Sequence, residues 1–281
     1  MIIAVYLAVI LCLLLLPGHT AAAARDALRI WGLDVAPSLC PYMVFSRLLA
    51  RRLQAQSLAA APLAALLGLM GGSPSGASVL AVCADRISAR TLPALCALTG
   101  TVSPMFMLGT LQTWTRNAAL CRMMLLSHLF GACFAGAAVY LTDGGERAAP
   151  PARKPSIAGE NPLAQSIDAI LQVGGCIICY SVLASLLRLL PHAQGLFGAL
   201  MHGVLEVSGG MHAICRLTLP ESLRAVLLAA LSGFSGCSIL TQNLAVLRPL
   251  GVDMRRLMGF ALLRAFGAGC CMAALRALFP M

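Results

Sequence analysis

Charged side chains are scarce in this sequence. Asp, Glu, Lys and Arg together make up 11% of the 281 residues, whereas 59% are hydrophobic. Soluble domains carry about 25% charged residues, so this chain has too little polar surface to cover a soluble globule. The apolar runs are long and do not alternate with polar residues, which argues against a transmembrane β-barrel. The composition therefore predicts an all-α polytopic membrane protein, a helical bundle with about eight hydrophobic segments.

Acidic residues and lysine are scarcer still. Ten Asp and Glu stand against 20 Lys and Arg, and Lys154 is the single lysine. The arginines are spread along the chain and form no broad basic run, so the net charge of +10 argues against nucleic-acid binding. Basic loops are typical of the cytoplasmic face of a membrane protein, so the predicted partner is the lipid bilayer of the cell membrane.

Motifs of the common enzyme classes are missing. The sequence contains no Walker A loop, no H-E-x-x-H and no G-x-S-x-G. Cys176 and Cys179 form a C-x-x-C, but the pair lies in an apolar run without a second ligand pair, which disfavours metal or redox chemistry. Most of the 12 cysteines are predicted to be small buried hydrophobes, among them Cys96, Cys133, Cys237, Cys270 and Cys271. We expect no enzyme activity, no cofactor and no metal.

A polar segment divides the chain. Residues 142–162, "TDGGERAAPPARKPSIAGENP", are rich in Pro, Gly and charge, and predict a linker between a first membrane half (1–141) and a second (163–281). The apolar start "MIIAVYLAVILCLLLL" lacks the basic n-region of a signal peptide. This favours an uncleaved first membrane helix over a cleaved leader.

A short motif rich in serine and glycine occurs once in each half. "GGSPSGAS" covers residues 71–78, and "SGFSGCS" covers residues 232–238. Each follows one apolar run and precedes another, as in transporters whose halves are inverted or parallel repeats. The motifs predict two pseudo-repeats, each with a broken or re-entrant helix.

A helix break at membrane depth needs a physical reason. Unpaired backbone groups each cost several kcal/mol in hydrocarbon, so unwound backbone survives only inside protein or against a polar cavity. Serine hydroxyls can bind the freed groups or a solute, and the half-helices that follow aim positive N-terminal ends at an anion. Close helix packing through small residues is the alternative explanation. The two motifs supply the candidate substrate-binding residues Ser73, Ser75, Gly76, Ser78, Ser235, Gly236 and Ser238.

Further polar residues lie in apolar surroundings. Glu206, in "HGVLEVSGG", would cost at least ~2.5 kcal/mol at membrane depth, so we expect it to bind a coupling cation, exchange a proton or accept hydrogen bonds from substrate. Alternatively the segment is an interfacial loop and Glu206 is hydrated. His202 and His212 flank it and are interpreted as bystanders. The amides of Gln242 and Asn243 are expected to bond across the bundle or to touch substrate.

A further interruption, "LTGTVSPMF", lies in the first half. This interruption and the serine two residues after Glu206 supply the last members of the candidate substrate-binding set. The added residues are Ser103, Pro104 and Ser208.

Five stretches follow the order of motifs in a known family. "WGLDVAPSLCPYMVFSRLL", "MGGSPSGASVLA", "TGTVSPMFMLG", "GVLEVSGGMHAI" and "LSGFSGCSILTQNLAVLRPLGVD" lie within residues 31–265. Together they resemble the sporulation integral membrane protein YlbJ family, of the nucleoside-recognition or Gate-domain group. The chain departs from that pattern at four positions. Gly100 and Thr101 stand where the family has two Asn, Ser103 where it has Gly, and Gly209 where it has Asn.

The resemblance implies a function. The family is linked to moving dipicolinate, a small aromatic dicarboxylate, across the outer forespore membrane during spore formation. By this resemblance we expect a transporter of a small organic anion, with Glu206 serving a coupling cation or proton. The alternatives are a non-transporting scaffold or regulatory component of sporulation, and a transporter of nucleoside-type solutes. Whether the protein forms a homo-oligomer is left open.

Overall fold

The chain folds as a bundle of helices. The computed structural model describes residues 2–54, 60–143, 161–191 and 193–279, is 87% helical, and has no strand in those ranges. The all-α prediction is therefore confirmed. The α-helices are α1 (Ile2–Leu15), α2 (Pro17–Arg29), α3 (Ala36–Gln54), α4 (Ala60–Gly71), α5 (Ser75–Cys83), α6 (Thr91–Thr99), α7 (Gln112–Thr115), α8 (Ala118–Thr142), α9 (Pro162–Leu187), α10 (Gly195–Leu205), α11 (Val207–Arg216), α12 (Glu221–Phe234), α13 (Gly236–Leu247) and α14 (Met254–Leu278). Two π-helical segments, Ile30–Val35 and Phe106–Leu111, and two 3-10 turns, Ala84–Arg86 and Arg248–Leu250, join some of them.

Several helices are built to cross a membrane. In the described part of the chain, four are long and apolar enough: α8, α9, α14 and the stretch Glu221–Leu250 that holds α12 and α13. A fifth span arises if Tyr6–Leu15 of α1 and Pro17–Val35, which holds α2 and the first π-helical segment, count as one despite the 99° bend between them. Shorter apolar helices are Leu39–Ala50, Ala60–Gly71 and Gly195–Leu205. The protein is membrane-embedded, and its described residues contain four or five full spans, fewer than the roughly eight hydrophobic segments predicted from the sequence.

Three of the long helices begin at a capping side chain. Asn117 Oδ1 accepts a hydrogen bond from Leu120 N (2.9 Å) at α8, and Asn161 Oδ1 accepts one from Leu163 N (3.0 Å) at α9. Asp253 Oδ1 accepts one from Arg256 N (2.8 Å) at α14. Each cap satisfies an amide that the first helical turn leaves unpaired, which fixes where the helix starts.

Helices α8, α12 and α14 pack closely through glycine. A Cβ atom on Gly131 of α8 or on Gly233 of α12 would lie 2.6 Å from the carbonyl oxygen of Arg264 in α14. A Cβ on Gly267 of α14 would lie 3.1 Å from the Cα of Gly131. Small residues let membrane helices approach to backbone contact, so the packing explanation offered for small residues applies at this contact. It joins a helix of the first half to two of the second.

Helix α9 lies among α2, α3, α10 and α13. Trp31 Nε1 donates a hydrogen bond to the carbonyl oxygen of Ile170 (3.1 Å), and the Trp31 ring covers Gly174. The hydroxyl of Tyr180 contacts Thr241 Oγ1 of α13 at 2.6 Å. These contacts hold α9 between the N-terminal helices and the second half.

The two predicted breaks are present, but a repeat relation between the halves stays a prediction. The first separates α4 from α5 at residues 72–74, and the second separates α12 from α13 at Ser235. The predicted linker lies almost entirely in residues 144–160, outside the described residues.

The cysteine prediction is wrong at two of its named positions. Cys133 and Cys270 are exposed, whereas Cys96 is buried as predicted, and Cys237 and Cys271 are partly buried. A small, weakly polar side chain is tolerated on a lipid-facing surface as well as in a core, so the apolar surroundings did not indicate which side it faces.

Candidate functional site

Four helix breaks meet inside the bundle. Three were expected from the sequence: residues 72–74, residues 100–103 after α6, and Ser235. The fourth is at Glu206, between α10 and α11, where the sequence predicted no helix break. Each break leaves backbone groups that need partners within the protein.

The break at residues 72–74 is tied to its neighbours. Ser73 N donates to the carbonyl oxygen of Thr101 (2.7 Å), and Ser73 Oγ donates to Asn243 Oδ1 (2.6 Å) on α13. Gly72 has φ +63°, and a Cβ on it would lie 2.5 Å from Ser103 N. Only glycine fits both the left-handed backbone and this approach. The predicted bond across the bundle from Asn243 is therefore present.

Glu206 is buried, with 2% of its surface exposed. Its Oε1 accepts a hydrogen bond from Ser208 N (3.0 Å), and its Oε2 accepts one from Gly209 N (2.6 Å). The carboxylate therefore caps α11, at the helix end that favours negative charge. The alternative of a hydrated interfacial loop is wrong.

A small cavity lies where the breaks meet; we call it the central cavity. Its volume is about 50 Å³. Its polar wall holds six of the predicted substrate-binding residues: Ser73, Ser103, Glu206, Ser208, Ser238 and Gln242. Its other lining residues include Asp34, Val35, Leu39, Val102, Phe106, Val173 and Ile177. The cavity thus combines hydroxyl, amide and carboxylate groups with an apolar wall, as small-molecule sites do.

Three predicted serines turn away from the central cavity. Ser75 Oγ lies 3.3 Å from Ser46 Oγ, and Ser235 Oγ donates to the carbonyl oxygen of Ser232 (3.0 Å) in the preceding helix, α12. Ser78 Oγ accepts a hydrogen bond from Arg47 Nη2 (3.2 Å). Their hydroxyls hold the local structure together.

The predicted glycines serve close packing. A Cβ on Gly76 would lie 2.9 Å from the carbonyl oxygen of Thr99, and one on Gly236, at φ +77°, would lie 3.0 Å from Val207 N. Pro104, also predicted, is not among the residues that line the central cavity.

Three buried polar atoms beside the breaks have no hydrogen-bond partner within the described residues. They are Thr101 Oγ1, Gln242 Oε1 and Asn243 Nδ2. Such a group costs about 1–3 kcal/mol, so proteins seldom keep several together without a solute or water. The oxygen of Gln242 belongs to the cavity wall and is available to either.

Arg264 was missed by the sequence analysis. It is 1% exposed, and its Nε and Nη1 donate to the carbonyl oxygens of Gly233 (3.1 Å) and Ala97 (3.0 Å). Both carbonyls belong to the last turn of a helix that ends at a break, α12 and α6. The signal was an arginine inside the apolar run "FALLRAFGAG". Its role depends on residues far away in the sequence.

Two larger cavities flank the central one. We call the first the Pro74 cavity; it measures about 270 Å³ and is lined by Arg47, Pro74, Ser78, Asp168 and Val246 among others. We call the second the basic cavity; it measures about 480 Å³ and is lined by Asp26, Arg29, Arg188, His202, His212 and Arg216 among others.

Helix α9 passes the three cavities in turn. Four residues of its first turns, Gln165, Asp168, Ala169 and Gln172, line the Pro74 cavity. Val173 and Ile177 line the central cavity, and Ser181 lines the basic cavity, as does Arg188 just after the helix. From residue 165 to residue 188 a helix rises about 35 Å, comparable with the ~30 Å thickness of the bilayer hydrocarbon. The central cavity therefore lies near the middle of a helix of membrane length.

The N-terminal part of the chain passes the same three cavities, but from the basic cavity to the Pro74 cavity as residue number increases. Residues 26–30 line the basic cavity, residues 34–39 the central cavity, and Arg47 the Pro74 cavity. Two separate stretches of the chain therefore show that the three cavities lie in a row, with the central cavity between the other two.

These features define a membrane-embedded helical protein with a polar cavity enclosed by helix breaks. Comparisons of the chain with protein-family models, with curated proteins and with solved structures find no match. The family resemblance therefore stays a prediction. Within the described residues, no group of three or more His, Cys, Asp or Glu side chains is placed to hold a metal ion.

Proposed function

We propose that this protein is a transporter that moves a small polar solute across the membrane by alternating access. The observation that carries the proposal is the row of three cavities along α9, with the smallest in the middle. Helix breaks at the bilayer midplane, enclosing a site between two outer openings, are the usual construction of secondary transporters.

Two thin walls serve as gates in this proposal. Ser73 faces the central cavity and Pro74 faces the Pro74 cavity, so the break at residues 72–74 and its Ser73–Asn243 hydrogen bond form one wall. Ser208 faces the central cavity and Gly209 faces the basic cavity, so the start of α11 forms the other. Movement of either wall opens the centre to one side.

A small organic anion is the proposed solute. Three arginines line one outer cavity, and fixed positive charge raises the local concentration of anions at an entrance. Serine hydroxyls and the Gln242 amide can donate hydrogen bonds to a carboxylate. Dipicolinate, and with it the outer forespore membrane, follows from the family resemblance. Glu206 is the proposed partner of a coupling cation or proton, because a buried carboxylate beside the cavity can change its charge during the cycle.

A non-transporting role is the second candidate, and the size of the central cavity favours it. About 50 Å³ holds a water molecule or a few, whereas an aromatic dicarboxylate needs the helices to move apart. A scaffold that keeps the fold without the conformational change would look the same in this closed state.

Uptake into proteoliposomes tests the proposal. We expect the protein to accumulate labelled dipicolinate, and Gln242→Leu to lower the initial rate about tenfold or more, because the cavity then loses its amide. The matched control is Ser235→Ala, because the Ser235 hydroxyl bonds to Ser232 of α12 and not to the cavity. This variant should leave the rate nearly unchanged. A labelled nucleoside, run in parallel, tests the nucleoside-type alternative. If properly inserted protein moves neither solute, the non-transporting role is favoured.

A further inference from the structure

The basic cavity concentrates positive charge from three helices. Arg29 ends α2, Arg188 follows α9, and Arg216 ends α11. Among the described residues, Asp26 is the one acidic residue in the lining, and its Oδ1 lies 3.7 Å from Arg29 Nη1. Both side chains of that pair are about three-quarters exposed (74% and 75%), so solvent screens the attraction. The cavity therefore keeps an excess of positive charge even when its histidines are neutral.

Helix ends explain only part of this arrangement. A cation at a helix C-terminus is favoured by the helix dipole, which accounts for arginine at positions 188 and 216. Arg29 is different, since the chain continues from it through the Ile30–Val35 π-helix into α3. The dipole also does not require the three side chains to share one cavity.

His202 adds an independent observation. It is 8% exposed, and neither Nδ1 nor Nε2 has a hydrogen-bond partner within the described residues. Its ring lies against Gly209, where a Cβ would collide with Nε2, and Arg188 and His212 line the same cavity. A buried imidazole with no partner costs free energy that a bound acceptor would recover.

We propose that the basic cavity binds a phosphate group. Guanidinium groups form paired, charge-assisted hydrogen bonds with oxyanions, and arginines arriving from three helices suit a tetrahedral group with several acceptor oxygens better than a planar carboxylate. His202 supplies one more donor at the inner wall. The volume of about 480 Å³ accommodates the group with its substituents.

Two sources carry this chemistry, a free phosphate and the headgroup of an anionic phospholipid. Leu28 and Leu189, next in sequence to the lining residues Arg29 and Arg188, are exposed apolar side chains that offer a surface for acyl chains. Phosphate binding in the basic cavity does not depend on transport, and its test measures binding alone. The phosphate-binding proposal and the transport proposal can therefore fail independently.

The test uses the whole chain in two arms. In one arm, the protein is held in nanodiscs of zwitterionic phosphatidylcholine, and inorganic phosphate is titrated calorimetrically at constant ionic strength set with chloride. In the other, native mass spectrometry of detergent-solubilised protein compares retention of phosphatidylglycerol with that of phosphatidylcholine. The site variant is Arg188→Gln with Arg216→Gln, two exposed residues whose replacement leaves the core intact. The matched control is Arg122→Gln with Arg255→Gln, exposed arginines outside the cavity lining.

We expect saturable binding in at least one arm, weakened about tenfold or more in the site variant and unchanged in the control. Binding in the first arm alone assigns free phosphate, and selective retention in the second alone assigns a lipid headgroup. His202→Phe should weaken whichever ligand binds. The proposal is overturned if the folded wild type binds neither ligand, or if site and control variants bind equally well.

Discussion

The two helix breaks that look alike in the sequence serve the cavity in different ways. At the first, Ser73 itself lines the central cavity and bonds to Asn243 on α13. At the second, the Ser235 hydroxyl turns back to Ser232, and the cavity is lined by the next turn of helix, at Ser238 and Gln242. The first break itself forms part of the wall of the central cavity, whereas the second lies just before the helix α13 that supplies part of that wall. Similar motifs therefore do not imply equivalent positions.

The largest contrast between the breaks is expected at their glycines. Gly72→Ala combines a left-handed backbone with a Cβ 2.5 Å from the backbone of Ser103, and should cost about 3 kcal/mol or more. Gly236→Ala has a comparable φ but its closest contact is 3.0 Å, so the cost should be lower by about 1 kcal/mol or more. Chemical unfolding in mixed micelles, followed by circular dichroism, measures both.

The control for this pair is Gly175→Ala in α9, where a Cβ meets no atom within 4 Å. It should be neutral or slightly stabilising, because alanine favours helix over glycine. Equal losses for Gly72→Ala and Gly175→Ala would show that the first break is not under steric constraint.

Arg264 serves the ends of α6 and α12 together, so its loss should affect both regions. Arg264→Met leaves the carbonyl oxygens of Ala97 and Gly233 without this donor, and we expect a loss of about 2 kcal/mol in the free energy of unfolding. Arg264→Lys should recover part of it, since an ammonium group can still donate. The exposed Arg122→Met is the control in the same unfolding measurement. A wild-type stability for Arg264→Met would remove the residue from this role.

The Ser73–Asn243 bond distinguishes the breaks on a finer scale. A double-mutant cycle of Ser73→Ala and Asn243→Ala should show a coupling of about 1 kcal/mol, typical of a buried hydrogen bond. The parallel cycle of Ser235→Ala with Asn243→Ala should show almost none, because the Ser235 hydroxyl bonds to Ser232 of α12. Similar couplings in the two cycles would mean that the breaks are equivalent after all.

The smallest effect on stability is expected at Glu206. Glu206→Gln keeps one of the two acceptor oxygens that cap α11, so we expect a loss of about 1 kcal/mol or less. Its main effect should be on transport, where an imposed proton gradient should no longer accelerate dipicolinate uptake. Glu221→Gln, at a half-exposed position, is the control and should keep the response. A gradient that acts equally on Glu206→Gln and wild type contradicts coupling through this residue.

Local chemistry made the main breaks predictable and left other features hidden. Gly72 and Pro74 interrupt a helix by their own backbone properties, which are visible in the sequence. The break at Glu206 was not foreseen because glutamate is a less usual N-cap than Ser, Thr, Asp or Asn. Arg264 was not foreseen because its partners, Ala97 and Gly233, lie 167 and 31 residues away. The direction of Ser75 and Ser235 likewise depends on tertiary packing.

The contacts of α14 have a consequence for how the chain can be divided. Its Arg264 bonds to Ala97 in the first half, its Arg256 pairs with Asp143 at the end of α8, and its Gly267 packs on Gly131. Neither half encloses a complete core by itself. A gene split between codons 142 and 162 should therefore yield two fragments that find each other in the bilayer and purify as a stoichiometric pair.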